Sequence, residues 1–336
     1  MASMKAVQVS APGGELQLVE REKPEPKENE VLIKVEACGI CHGDAVVTAG
    51  HYPGIGYPRI PGHEVVGTVE KLGGRLDGWK VGQRVGVGWH GGHCFTCTAC
   101  RRGQFLACEN SVTTGISTDG GYAEYMTARA EALVHLPGTL PSVEVAPLLC
   151  AGRTTFGALQ GSGARAGELV AVLGLGGLGH LAIQYAAKLG FRTVAVSRGK
   201  EKEELAVRLG AHTYVDADEG DPAHRLSELG GARVILCTAP SGKAISKVLG
   251  GLGRNGQAIV VAAAGDPIMV PPSLLLAGGR SIKGSVEGSI EEAINFSLMA
   301  GVSPMVEVFP LEQAALAFER MMTSKVHFRA VLKMSA

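Results

Sequence analysis

Four cysteines fall within fifteen positions, Cys94-x2-Cys97-x2-Cys100-x7-Cys108, inside GWHGGHCFTCTACRRGQFLACE. Thiolates at such short spacing on one loop close a tetrahedral site, which suits structural zinc. An iron–sulfur cluster also takes four cysteines, and this spacing alone leaves that alternative open. Disulfides belong to small secreted domains, and Met1 to Val9 has one lysine and no long apolar run of the kind a secretory signal needs.

A second set of donors is scattered: Cys41 in CGICHGD, His63 and Glu64 in PGHEVVG, and Cys150 in LLCAGRTT. Two thiolates and one imidazole leave a fourth position on zinc open, as a catalytic site requires. A lone cysteine or histidine is as readily a packed core residue, so spacing does not by itself assemble these groups. Cys38 and Cys41 also form a C-x-x-C, which permits thiol redox chemistry; metal binding by Cys41 excludes it.

The third motif is Gly174-Leu175-Gly176-Gly177-Leu178-Gly179, a G-x-G-x-x-G that follows the apolar run ELVAVL and opens the helical pattern HLAIQYAAKLG. Glycines there allow a tight turn and close backbone approach, and the helix N-terminus offers free N–H groups and a positive dipole to a pyrophosphate. The alternative is a glycine-rich turn in an unrelated α/β protein. An NAD site places an acid about 20 residues further on, but here the run RTVAV ends in Ser197-Arg198-Gly199-Lys200. Without that carboxylate a 2′-phosphate meets no repulsion, Ser197 can donate to it and Arg198 can pair with it. This favours NADP(H) and leaves NAD(H) possible; otherwise Arg198 is a solvated loop charge.

These motifs need two kinds of scaffold. From Lys5 to about Pro137 short β-type runs (KAVQV, LQLVE, EVLIKVE, VVGTVEKLGG, QRVGVG) alternate with Pro- and Gly-rich turns, an all-β module. After Glu168 apolar strands alternate with helical stretches, which implies a parallel sheet. That sheet is complete by about Lys283, so the tail, with one or two helices and a last strand FRAVLKM, is expected to return to the first domain. The expected division is 1–148 with 285–336 around an inserted 149–284. A chain of 336 residues with 46% hydrophobic residues fits two such cores. Lysine plus arginine equal aspartate plus glutamate at 32 each, so no global field favours nucleic acid or an anionic membrane. No segment reaches about 18 consecutive apolar residues. The expectation is a cytoplasmic protein with a small-molecule partner.

Together, GICHGD at Gly39 to Asp44, GHEVVG at Gly62 to Gly67, the four-cysteine lobe, CAGRTT at Cys150 to Thr155 and GLGGLG at Gly174 to Gly179 resemble the zinc-containing medium-chain alcohol dehydrogenases over essentially the whole chain. The microbial-type and cinnamyl-alcohol-dehydrogenase-like branches are most similar. The resemblance implies a GroES-like all-β catalytic domain built from both chain ends, an inserted α/β Rossmann domain, and two zinc ions per subunit. It implies that Cys41, His63 and Cys150 ligate a catalytic zinc, with Glu64 an occasional ligand, and that Asp44 fixes the tautomer of His63. Cys94, Cys97, Cys100 and Cys108 would hold the structural zinc. His42 and Arg329 match positions at the cofactor pyrophosphate, Thr154 one near the nicotinamide, Lys202 one at the adenosine ribose, and Trp89 a wall of the substrate pocket. Homotetramers and homodimers are usual in this family.

Two departures stand out. Where many alcohol dehydrogenases carry the Thr or Ser that starts a proton relay there is Gly43, and where they often carry the His that ends it there is Val46. The expected activity is hydride transfer between NADP(H) or NAD(H) and an alcohol or its aldehyde or ketone, with carbonyl reduction the better-served direction. An alternative is reduction of an activated C=C or C=N bond, and from a different class a non-enzymatic zinc- and nucleotide-binding protein. Retention of Cys41, His63, Glu64 and Cys150 together argues against the last.

Overall fold

The run Leu169–Leu173 (LVAVL) is apolar and buried at every position, as a central strand covered on both faces must be. In the computed structural model, which describes residues 2–52, 54–285 and 288–335, it pairs with Arg192–Ser197 on one side and Ala232–Cys237 on the other, both parallel. The six-stranded sheet runs Thr213–Asp216, Arg192–Ser197, Leu169–Leu173, Ala232–Cys237, Leu252–Val260, Ser281–Gly284. This is the strand order of a doubly wound dinucleotide-binding sheet. Helix Gly179–Lys188 follows the first strand and buries eight successive residues, Gly179 to Ala186. The sequence reading had no helix over Pro222–Glu228; there Asp221 accepts the Ala223 N–H and Pro222 opens the first turn.

The other sheet has seven strands in the order Val306–Pro310, Arg329–Lys333, Glu30–Gly39, Glu64–Leu72, Arg84–Val87, Leu133–His135, with Tyr125–Arg129 also paired to Glu30–Gly39. The tail therefore returns, as expected, and inserts Arg329–Lys333 directly beside Glu30–Gly39. It also supplies a strand the sequence reading lacked, Val306–Pro310, parallel to Arg329–Lys333. The core of this β-rich unit is made of inward-facing positions such as Val31, Ile33, Val65, Val85, Tyr122 and Leu332.

The chain divides into two compact units, Met1–Cys150 with Met305–Ala336, and Ala151–Pro304. These divisions fall at 150/151 and 304/305, where the sequence reading set 148/149 and 284/285. The second shift has a physical cause in helix Ile290–Ala300. Its Phe296 ring lies 4.9 Å from Phe156 and its Ser297 hydroxyl is 2.7 Å from the Tyr185 hydroxyl, so the helix packs on the parallel-sheet unit before the chain turns back. Among the described residues no helix is long and apolar enough to cross a membrane.

Candidate metal centres and cofactor loop

The strand Glu30–Gly39 delivers Cys41 to a one-turn 3-10 helix, His42–Asp44, where the Cys41 sulfur accepts the Gly43 N–H. Asp44 then folds inward to 2% exposure. Its Oδ2 accepts the Cys41 N–H and the Tyr122 hydroxyl, both at 2.9 Å. Its Oδ1 accepts the Gly62 N–H at 3.2 Å and lies 2.9 Å from His63 Nδ1. Because a carboxylate only accepts, Nδ1 carries the proton and His63 Nε2 presents its lone pair. Trp89 stands edge-on to that imidazole, with centroids 4.9 Å apart. Cys150 follows the buried turn Ala146–Leu149, and its sulfur is 3.9 Å from that of Cys41.

One donor atom each from Cys41, His63, Glu64 and Cys150 all lie within 4.8 Å of one another. His63 Nε2 and Glu64 Oε2 are buried without a hydrogen-bond partner, and Glu64 Oε1 accepts from Arg329, itself 4% exposed. Buried polar atoms left unpaired are costly, and a cation among them removes that cost. Two sulfurs bound to tetrahedral zinc at about 2.3 Å stand roughly 3.8 Å apart, close to the separation seen here. Burial pushes the Glu64 carboxyl up to about 7 against the pull of Arg329. The hydrogen bond from Cys150 holds the Cys41 thiol well below its ordinary value, and the same contact pushes Cys150 up. The residues fit a zinc ion with three firm donors and one carboxylate beside it. Cys38 does not share this site: it lies fully buried in the β-unit core, its thiol turned to the Gly39 carbonyl, which removes the C-x-x-C redox reading.

The sulfurs of Cys94, Cys97, Cys100 and Cys108 also lie within 4.8 Å of one another, with pairs at 3.6, 3.9 and 4.0 Å. Backbone N–H groups of Cys94, Cys97, Cys100 and Asn110 point at sulfurs of the set, an arrangement that favours thiolates. The Thr96 hydroxyl, with the Cys97 N–H, pulls the Cys94 thiol down to about 5. This close grouping suits one ion; cysteines that each hold a different iron of a cluster stand further apart.

In the parallel-sheet unit the glycines of the G-x-G-x-x-G divide their work. Gly174 has φ of +103°, and a Cβ on Gly179 would sit 2.0 Å from the Gly174 carbonyl oxygen. A Cβ on Gly176 would meet nothing within 4 Å, the open space a pyrophosphate needs. Gly177 and Leu178 are half-buried beside it, and the helix that starts at Gly179 has no side-chain cap, although its His180 N–H is already taken by the Gly176 carbonyl. Ser197 ends its strand at 8% exposure, Arg198 is exposed, and the Lys202 ammonium donates to the Arg198 carbonyl. The loop is fixed from the next strand: Asp216 accepts the Gly199 N–H and Tyr214 donates to the Gly199 carbonyl. Thr154 is half-buried on helix Ala151–Gln160 of the same unit.

Family models agree with both halves: an alcohol dehydrogenase GroES-like domain over residues 27–138 and a zinc-binding dehydrogenase domain over residues 177–300. Alcohol dehydrogenase notN of Aspergillus sp. (strain MF297-2) is 46% identical over 92% of this chain and 91% of its own. The chain belongs to the zinc-containing medium-chain alcohol dehydrogenases. An alcohol dehydrogenase of Geobacillus stearothermophilus is 40% identical over 98% of this dehydrogenase and 99% of its own length. A solved cinnamyl alcohol dehydrogenase of Sorghum bicolor superposes with TM-score 0.89 at 30% identity, covering 99% of this chain and 98% of that one. The dehydrogenase is thus an enzyme of alcohol and carbonyl redox chemistry that uses zinc and a nicotinamide cofactor.

Of the expected site residues, Cys41, Asp44, His63, Glu64, Trp89, Cys150 and Arg329 come together in the β-rich unit; His42 is exposed at its turn. Arg329, expected at a pyrophosphate, is placed against Glu64. The sequence reading missed Tyr122, which clamps Asp44, because a single tyrosine after GG carries no motif. It also missed Gly39, whose bare Cα lies against the Glu64 carboxylate.

Proposed function

We propose that this dehydrogenase interconverts alcohols with aldehydes or ketones, prefers NADP(H) to NAD(H), and serves carbonyl reduction better than alcohol oxidation. In this reading Cys41, His63 and Cys150 hold one zinc ion with Glu64 as an exchangeable donor, and Cys94, Cys97, Cys100 and Cys108 hold a second. Zinc there supplies Lewis acidity at the substrate oxygen, and the nicotinamide gives or takes the hydride. Asp44 keeps the His63 lone pair directed at the donor set. Trp89 walls the side on which His63 lies and excludes bulk from it.

The observation that carries the directional part is at Gly43. It has no hydroxyl, and an added Cβ would come within 2.9 Å of both His63 Cε1 and Trp89 Cζ3. Val46, on helix Ala45–Ala49, adds no titratable group. Taking a proton from an alcohol needs an acceptor, whereas returning one to a new alcohol oxygen is downhill in neutral water. The proton path runs through water or Glu64. NADP(H) preference rests on Ser197 and Arg198, with no carboxylate at the end of their strand. The outer edge of Ser281–Gly284 supports assembly into a homodimer or homotetramer.

The test is to titrate NADPH and NADH side by side on zinc-replete protein and follow benzaldehyde reduction with each. Preference for NADPH supports the reading; preference for NADH overturns its cofactor part. In the same protein, benzyl alcohol oxidation is expected to rise more steeply with pH than benzaldehyde reduction falls. Equal slopes would show that the absent hydroxyl at 43 is unimportant for direction.

A further inference from the structure

We propose that Gly39 is a positioning residue for the metal centre: its bare Cα is the seat that keeps the Glu64 carboxylate with Arg329 and out of the ligand set. Three adjacent strands meet here. Gly39 is the register partner of Glu64 on one side and of Val331, two residues past Arg329, on the other. The buried pair of Arg329 and Glu64 thus joins the two strands that flank the strand of Gly39. A Cβ at position 39 would fall 1.9 Å from Glu64 Oε2, 2.9 Å from its Cδ and 3.1 Å from its Cβ. Strand glycines often mark such a close approach.

On that proposal the carboxylate has two places, the one seen against Arg329 and one on the ion that Cys41, His63 and Cys150 would hold. One oxygen is held by Arg329, while Oε2 is buried, unpartnered, and belongs to a residue whose donor atom lies within 4.8 Å of those of Cys41, His63 and Cys150. The room over Gly39 decides between them, because a methyl group there removes the outer place and leaves the inner one. The inference rests on the reading that Cys41, His63 and Cys150 hold zinc, and it adds a residue that no ligand motif marks.

The experiment compares the full-length parent, Gly39→Ala, Glu64→Ala and Gly39→Ala/Glu64→Ala. Cobalt(II) is loaded in place of zinc at the Cys41 site and its visible spectrum recorded with and without azide. Zinc release to a chelator is timed in parallel. In Gly39→Ala the carboxylate becomes a fourth protein donor, so the cobalt bands shift, azide no longer perturbs them, and zinc release slows by about tenfold, the scale of outer-shell effects on metal retention. Removing the Glu64 carboxylate rescues: the double variant matches Glu64→Ala in spectrum, azide response and release. An unchanged spectrum, unchanged or faster release in Gly39→Ala, or a shift that survives in the Glu64→Ala background overturns the proposal. A parent that takes up no cobalt at this site overturns the zinc reading itself, which separates the two failures.

Discussion

Asp44 accepts four hydrogen bonds, from Cys41, Gly62, His63 and Tyr122. Asp44→Asn keeps the shape but offers one acceptor oxygen in place of two and turns an amide donor toward groups that themselves donate. Zinc at the Cys41 site is expected to be held roughly 10–100-fold more weakly, measured by metal analysis after dialysis against chelator; full retention would show that Asp44 only packs. Tyr122→Phe removes one of those bonds, and a loss of about 1 kcal/mol in thermal or urea unfolding is expected, with zinc content kept. At the cofactor loop, Arg198→Ala is expected to weaken NADPH by about tenfold or more, the range of a hydrogen bond to a charged group, and to leave NADH binding unchanged. A parallel loss for both cofactors would mean that Arg198 acts on the loop and not on a 2′-phosphate. The four-cysteine lobe was readable from its spacing alone, whereas Cys41, His63, Glu64 and Cys150 lie scattered and were grouped only through the resemblance to a family. Tyr122, Gly39 and the pairing of Arg329 with Glu64 were not readable, since each acts through a contact between residues far apart in the chain that only the folded sheet creates.

At the scale of elements, the four-cysteine lobe has little regular structure beyond the four-residue helix Thr98–Arg101 and the turn Phe105–Ala107. Phe95 within it has φ of +61°, and His93 stacks on Phe105 at 4.1 Å. The backbone hydrogen bonds of this segment, such as Arg101 to Cys97 and Cys108 to Phe105, are local turns, so its shape depends on its ion, as metal binding and folding are linked in such loops. Cys97→Ser is therefore expected to lower bound zinc by one equivalent per chain and to expose this loop to proteolysis first, while the Cys41 site keeps its metal. Loss of both equivalents together would show that the two sites fold as one. The dinucleotide strand and helix were readable because an all-apolar run, a loop of four glycines and a helical apolar pattern succeed one another within about twenty positions. Helix Pro222–Glu228 was not, as seven residues give too short a period and its start signal, Asp221 with Pro222, also reads as a turn.

For the whole molecule, the texture of the sequence changes after Glu168, some way past the division at Cys150, and nothing in it marks the division at Pro304. The tail helix Ile290–Ala300 carries the same amphipathic pattern whichever core receives it, and only the partners Phe156 and Tyr185 settle the matter. The other property that belongs to the whole molecule is its assembly. Ser281–Gly284 ends the six-stranded sheet, and among the described residues no strand pairs with its outer edge. Unpaired strand edges recruit a second chain unless they are blocked. This edge is short and carries Lys283, yet the segment leading to it leaves Leu276 82% exposed and Met269 71% exposed, apolar surface that solvation alone does not call for. A second copy of the chain that covered this segment together with the edge would bury both side chains, each contributing up to roughly 1.5–3 kcal/mol. Sedimentation velocity at micromolar concentration is expected to give a dimer or tetramer for the parent. Met269→Glu/Leu276→Glu is expected to shift it toward monomer, with NADPH affinity kept because neither residue lies on the glycine loop or beside Ser197. A monomeric parent, or a variant that assembles as the parent does, would place the contact elsewhere on the molecule.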